Sequence, residues 1–212
     1  MKVLELFSGT HSVGKICNEL NWSVISLDKD MDADIQEDIM DWDYKVYEVG
    51  YFDIIWASPV CLWWSALRRT IDQNKRQSDI DKFGKPMVDK VREIIHYFKP
   101  KYYFIENPQS GLMKTYITDL DFYDVDYCMY GFDYRKRTRI WTNLIGFEPK
   151  KCKKDCGKMV KIDGHHLHKS NCGNSLRLRL TENTSTSKLD RYRIPPNLIR
   201  DLFKQIKSLE QL

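Results

Sequence analysis

Residues 2–28 read KVLELFSGTHSVGKICNELNWSVISLD, and this stretch decides the fold class. Val3-Leu4-Glu5-Leu6-Phe7 is a short, almost unbroken apolar run of the kind that a parallel sheet buries on both faces. Ser8-Gly9-Thr10 breaks the run, helical spacing follows over residues 12–20, and Ser23-Val24-Ile25-Ser26-Leu27 makes a second strand that ends on Asp28. The pattern repeats outward. Residues 52–57 (FDIIWA) form a third strand stopped by Ser58-Pro59, residues 86–98 carry Val88, Val91, Ile94, Ile95 and Phe98 at helical spacing behind Pro86, and residues 102–105 are the next strand. Strands separated by helices predict an α/β fold with a mostly parallel central sheet. After Asp124-Val125-Asp126-Tyr127 comes a more β-like section (Tyr130-Gly131, then residues 139–142), and residues 195–209 close the chain as an amphipathic helix behind Pro195-Pro196.

The 212 residues fit one domain, and 42% hydrophobic with 30% charged residues excludes collagen-like, low-complexity and wholly disordered classes. No run approaches the roughly 18 apolar residues of a spanning helix, and no signal peptide precedes the first strand, so the expectation is a protein of the cytosol or nucleoplasm with no membrane partner. The cysteines (Cys17, Cys61, Cys128, Cys152, Cys156, Cys172) are scattered, which fits thiols or metal ligands better than a disulfide framework. The net charge of +4 conceals a division: residues 1–130 hold 15 basic and 22 acidic side chains, and residues 131–212 hold 19 and 8. A basic back half points to phosphates, with a merely solvated basic face as the alternative.

Ligands of open α/β sheets sit outside the carboxyl ends of the strands. That places Phe7-Ser8-Gly9, Asp28, Pro59-Val60-Cys61 and Glu106-Asn107-Pro108 at the candidate site. A glycine turn after the first strand and an acid ending the second are the usual means of holding a nucleoside-bearing cofactor, although the full dinucleotide fingerprint is absent. Cys61 is either an inert thiol or a nucleophile on an exposed loop, and Glu106 either a satisfied carboxylate or an acid poised for proton transfer. With Arg137 and Arg139 they form a possible set of nucleophile, acid and cationic donors.

In order and wording these motifs resemble the S-adenosylmethionine-dependent cytosine-C5 methyltransferases, especially short versions from phages and viruses. Phe7-Ser8-Gly9-Thr10 is similar to the family's cofactor loop, and Asp28 stands where an acid holds the ribose. Glu37-Asp38-Ile39 resembles the segment whose Asp contacts the adenine amine, and Ser58-Pro59-Val60-Cys61 the Pro-Pro-Cys nucleophile loop, with Val60 in place of the second proline. Glu106-Asn107-Pro108 resembles Glu-Asn-Val, Arg137-Thr138-Arg139 the Arg-x-Arg segment, and Ile194-Pro195-Pro196 the entry to the final helix. The asparagine and glycine that the family carries before that helix are not at Tyr192-Arg193.

The resemblance implies a Rossmann-like methyltransferase fold. It assigns Phe7, Gly9, Thr10, Asp28, Asp38, Ile39 and Pro59 to the cofactor, Cys61 to attack on C6, Glu106 to N3, and Arg139 or else Arg137 to O2. The substrate expected is a cytosine flipped from double-stranded DNA by a monomeric enzyme; RNA, or an inactive cofactor- or DNA-binding module, are the alternatives. Residues 1–145 and 190–212 make the catalytic domain, and residues 146–189 remain as a small basic target-recognition insert. There, Lys150, Lys151, Lys153 and Lys154 are expected to meet phosphates. Cys152, Cys156, His168 and Cys172 are a candidate zinc set. Of Trp63 and Trp64, at least one is expected to be core.

Overall fold

A computed structural model of the protein describes residues 1–65, 71–162, 165–168, 170–171, 189 and 192–211. The first half contains β1 (Lys2–Leu6), α1 (Ser12–Glu19), β2 (Ser23–Leu27), β3 (Ile54–Ala57), α2 (Gln73–Asp79) and α3 (Lys85–Phe98). The second half contains β4 (Tyr102–Pro108), α4 (Met113–Tyr116), β5 (Phe122–Asp126), β6 (Tyr134–Arg135) and β7 (Arg137–Thr142), then β8 (Met159–Ile162), β9 (His165–His168), β10 (Ser170–Asn171) and α5 (Pro196–Leu209). The main sheet has the order β2-β1-β3-β4-β7-β5. Neighbours from β2 to β4 are parallel; β7 is antiparallel to both β4 and β5, so β5 again runs with β4. The α/β expectation with a mostly parallel sheet therefore holds, with one reversed strand inside it.

Two apolar layers cover this sheet. On one face Val3, Trp56, Phe104 and Ile140 pack with Ile16 of α1 and Leu198, Ile199, Leu202, Phe203 and Ile206 of α5. On the other, Leu4, Leu6, Ile55, Ile105 and Trp141 meet Val88, Val91, Ile94 and Phe98 of α3. The alternation along each strand sends successive side chains to opposite layers, which is why β1 reads as a nearly continuous apolar run.

Several expected boundaries shift. Glu106 and Asn107 lie inside β4, because its ladder with β7 continues to Pro108↔Thr138. Tyr130-Gly131 belongs to a 3-10 turn over Tyr127–Tyr130 that ends on Gly131, not to a strand. The helix before β4 is reached through α2 and a π-helical stretch, Ile80–Gly84. An added Cβ at Gly84 would stand 3.0 Å from the ring of Trp64, which is 1% exposed. Trp64 is therefore core, as expected of one of the pair, and Trp63 is half-buried and stacks on Phe83. Among the described residues, no helix is long and apolar enough to cross a membrane.

Helix α1 begins without a capping side chain of its own, at His11. Glu5, buried in β1, substitutes: its carboxylate accepts the N–H groups of Val13 at 3.0 Å and Gly14 at 2.8 Å. A side chain at position 14 would begin 3.0 Å from the Glu5 oxygen, so the close approach requires glycine. Burial pushes the Glu5 carboxyl up to about 7, against the opposing pull of those two N–H groups. Between its ordinary 4.5 and 7 the native state keeps a proton that the unfolded chain has released. The stabilisation, about 3 kcal/mol, is complete below that window and is lost as pH rises through it. Chemical denaturation between pH 4.5 and 7.5 is expected to show this decline in the wild type and a flatter profile in Glu5→Gln; parallel profiles would refute it.

Candidate active site

The strand order reverses about β1, which leads to β2 on one side and β3 on the other, and the crevice beyond their carboxyl ends is where such folds take a ligand. The loop leaving β1 is contorted there. Phe7 (φ 58), Gly9 (φ 51) and His11 (φ 54) all occupy the left-handed region, which is costly for Phe7 and His11 and characteristic of functional loops. Asp28, at the end of β2, accepts the Gly9 N–H at 2.9 Å on one oxygen and the N–H groups of Asp30 and Met31 at 2.9 Å on the other. It thus shapes the glycine turn besides facing the crevice.

Thr10 Oγ1 lies 3.1 Å from Ser12 Oγ, which accepts the Ile194 N–H at 3.1 Å, so the segment entering α5 is fastened to this loop. Asp38 accepts from the Met40 N–H and from Lys29, both at 3.0 Å, which in that order hold its carboxyl below the usual range; Ile39 beside it is buried. The Ser8 hydroxyl is buried with no hydrogen-bond partner among the described residues. An orphaned hydroxyl in this position fits a loop that binds a polar ligand.

Cys61 is exposed on the loop that follows β3. Pro59 is buried, and its carbonyl accepts Asn107 Nδ2 at 2.9 Å; the Trp64 carbonyl accepts the Leu112 N–H at 2.8 Å. An added Cβ on Gly111 would be 3.2 Å from that same carbonyl and 3.1 Å from the Pro108 carbonyl. Two bonds and one close glycine therefore lash the Cys61 loop to the end of β4.

Glu106, next along β4, is 5% exposed and accepts from the Tyr127 hydroxyl at 3.0 Å, with Lys136 Nζ 3.4 Å away. Register separates it from the arginines. Ile140 stands opposite Glu106, and Arg139 opposite Asn107, so Arg139 and Glu106 leave opposite faces of the sheet. Arg139 is bound in bidentate fashion by Asp124 (2.8 and 2.9 Å) and lies 3.4 Å over the ring of Phe122. Arg137 is bound by Asp126. Asp126, wholly buried, also accepts from Arg135 and from the Cys152 N–H; burial raises its carboxyl, but Arg137, that N–H and Arg135 outweigh burial and hold it below the usual range.

Over 217 aligned residues, 95% of this chain and 98% of the other, the sequence is 38% identical to the "Probable DNA (cytosine-5)-methyltransferase" of Frog virus 3 (isolate Goorha). The chain belongs to the DNA cytosine-5 methyltransferase family. No family model matches it. Among solved structures, the Entamoeba histolytica methyltransferase EhMeth superposes with a TM-score of 0.54 at 17% identity, over 71% of this chain and 55% of that one. A DNA modification methyltransferase encoded within an E. coli prophage gives 0.47 at 15% identity, over 71% and 51%. This methyltransferase thus spans about half the length of those two structures, and the first of them supports its fold.

In the later part of this methyltransferase, β8 and β9 form an antiparallel pair and β10 pairs with β6. Lys151, Lys153 and Lys154 are exposed, whereas Lys150 is bound to Asp201 at 2.6 Å and lies over the Tyr130 ring. Cys152, Cys156 and His168 come together, but with Cys128. Cys172, expected as the fourth member, lies outside the described residues. The contacts that the sequence did not reveal are those of Tyr127 and Lys136 with Glu106, of Asn107 with the Cys61 loop, and of Cys128 with Cys152, Cys156 and His168. Only Asn107 had a signal, its place between Glu106 and Pro108; the others depend on how β5 and β7 register against β4.

Proposed function

We propose that this methyltransferase moves a methyl group from S-adenosylmethionine to C5 of cytosine in DNA, with Cys61 as nucleophile. The observation that carries the reading is the exposed Cys61 loop bonded, through the Pro59 carbonyl, to the residue following Glu106. Cytosine C5 is a poor nucleophile, and addition of a thiolate to C6 converts the ring into an enamine. Glu106 delivers a proton to N3 as electrons move onto the ring, and Arg139, which rests on Asp124 on the opposite face, would have to exchange that carboxylate for the base to donate to O2. C5 of this enamine would take the cofactor's methyl, the S–CH3 bonding pair staying on sulfur as a neutral thioether; a base then takes the C5 proton, the returning electrons expel the Cys61 thiolate, and Glu106 recovers the N3 proton.

The cofactor supplies an electrophilic methyl on a sulfonium. Phe7, Gly9 and Thr10, with the Ser8 hydroxyl that has no partner among the described residues, would cradle it, Asp28 would face the ribose, and Asp38, Ile39 and Pro59 the adenine end. A base inside a duplex exposes neither face of C5 and C6, so the cytosine is flipped out. Lys151, Lys153 and Lys154 meet phosphates from residues 146–189, which act as a reduced recognition region beside a catalytic unit of residues 1–145 and 190–212, in a single chain. The test is transfer of labelled methyl from the cofactor to duplex DNA and to RNA, followed by nucleoside analysis. Label is expected in 5-methylcytosine of DNA; label confined to RNA, or on another atom, would overturn the reading, and cofactor binding without transfer to either polymer would identify an inactive module.

A further inference from the structure

Cys128, Cys152, Cys156 and His168 come from three separate parts of the chain: the 3-10 turn after β5, the loop after β7, and the end of β9. Their ligand atoms all lie within 4.8 Å of one another, and Cys152 Sγ and Cys156 Sγ are each 3.4 Å from His168 Nε2. We propose that these four side chains hold one zinc ion, which staples the basic insert to the catalytic sheet.

Tetrahedral zinc, with bonds of about 2.3 Å to sulfur and about 2.0–2.1 Å to nitrogen, sets sulfur–nitrogen edges of about 3.6 Å and sulfur–sulfur edges of about 3.8 Å. The two sulfur–nitrogen spacings of 3.4 Å already lie within a few tenths of an ångström of this edge, and the widest spacing, within 4.8 Å, would close by up to about 1 Å around the ion. Without an ion the grouping is hard to satisfy: a neutral imidazole nitrogen has one lone pair, yet two thiols stand at the same distance from it. Three thiolates and a neutral imidazole around a soft-accepting dication leave no such conflict, and the set excludes calcium and magnesium, which take oxygen.

The surroundings support the ligands. The Lys154 N–H donates to Cys152 Sγ at 3.3 Å, and left-handed residues at Lys154 (φ 73) and Gly157 (φ 70) turn the chain tightly after each cysteine. The Cys152 N–H is itself fixed to Asp126 at 2.9 Å. Such N–H contacts to sulfur and to the ligand backbone are the outer shell of structural metal sites. Cys152 and His168 are buried, and a metal bound between them would help to order the segment. The ion sits close to the chemistry, because Cys128 adjoins Tyr127, whose hydroxyl holds Glu106.

The full chain, purified from medium without added zinc, is expected to carry about one zinc per molecule, and X-ray absorption to show three sulfurs and one nitrogen around it. Cys128→Ser should lose the metal, whereas Cys172→Ser should retain it. Folded wild type with no metal, a pair of these cysteines oxidised to a disulfide, a shell with fewer sulfurs, or metal kept by Cys128→Ser and lost by Cys172→Ser would each overturn the proposal. The absorption measurement uses the wild type, so the test stands even if Cys128→Ser fails to fold.

Discussion

Cys61→Ser is expected to reduce methyl transfer by about 10⁴-fold or more, with thermal stability and cofactor affinity unchanged. A thiol keeps a few per cent of thiolate at neutral pH and is intrinsically nucleophilic, whereas a serine hydroxyl without an adjacent base is neither. Cys61 is exposed, and the loop is held through the Pro59 and Trp64 carbonyls, neither of which the substitution touches. The assay is single-turnover transfer with labelled cofactor, joined to trapping on DNA that contains 5-fluorocytosine, where the fluorine cannot leave as a proton does. Wild type should form a stable adduct on the Cys61 peptide and the variant none. An adduct that persists in Cys61→Ser would assign attack to another residue.

Glu106→Gln is expected to lower kcat by about 10²–10³-fold while KM for DNA moves little. Glutamine preserves the volume and can still accept from Tyr127, so the site keeps its shape. What it loses is a proton to give to N3 when charge builds on the ring. In this it differs from Cys61→Ser: fluorocytosine adducts should still form, only slowly. Turnover at the wild-type rate would remove Glu106 from the chemistry, and a large rise in KM with kcat intact would make it a binding group.

How much of this was legible without coordinates depended on how local the information is. The alternation from strand to turn to helix over β1, α1 and β2 follows from residues a few positions apart, and it placed Phe7, Asp28 and Cys61 at strand ends. Helix α2 was not legible, because Gln73-Asn74-Lys75-Arg76-Gln77-Ser78-Asp79 buries none of its side chains and so has no apolar stripe. The reversed position of β7 left no local trace either, and with it went the placement of the arginines. A motif containing Arg137 and Arg139 suggests two donors beside Glu106; the register gives them to Asp126 and Asp124 and brings Lys136 to Glu106 instead. For the cysteines, nearness in sequence pointed to Cys172, which lies outside the described residues, and gave no hint of Cys128, which the fold brings to Cys152, Cys156 and His168.

The attachment of α5 to α1 has a consequence for how the protein is made. Ile194 bonds to Ser12, Arg200 pairs with Glu19, and Leu198, Ile199, Leu202, Phe203 and Ile206 are wholly buried against the sheet. Burying five such side chains contributes roughly 10 kcal/mol, comparable with the whole stability of an ordinary domain. On the ribosome, roughly a hundred residues follow Glu106 before Phe203 is added, or about 5–20 s of synthesis. Through that interval Cys61 and Glu106 already exist but one face of their sheet has no cover. The nascent chain must wait for α5, and the Cys61 thiol takes its folded surroundings only once that helix has been made.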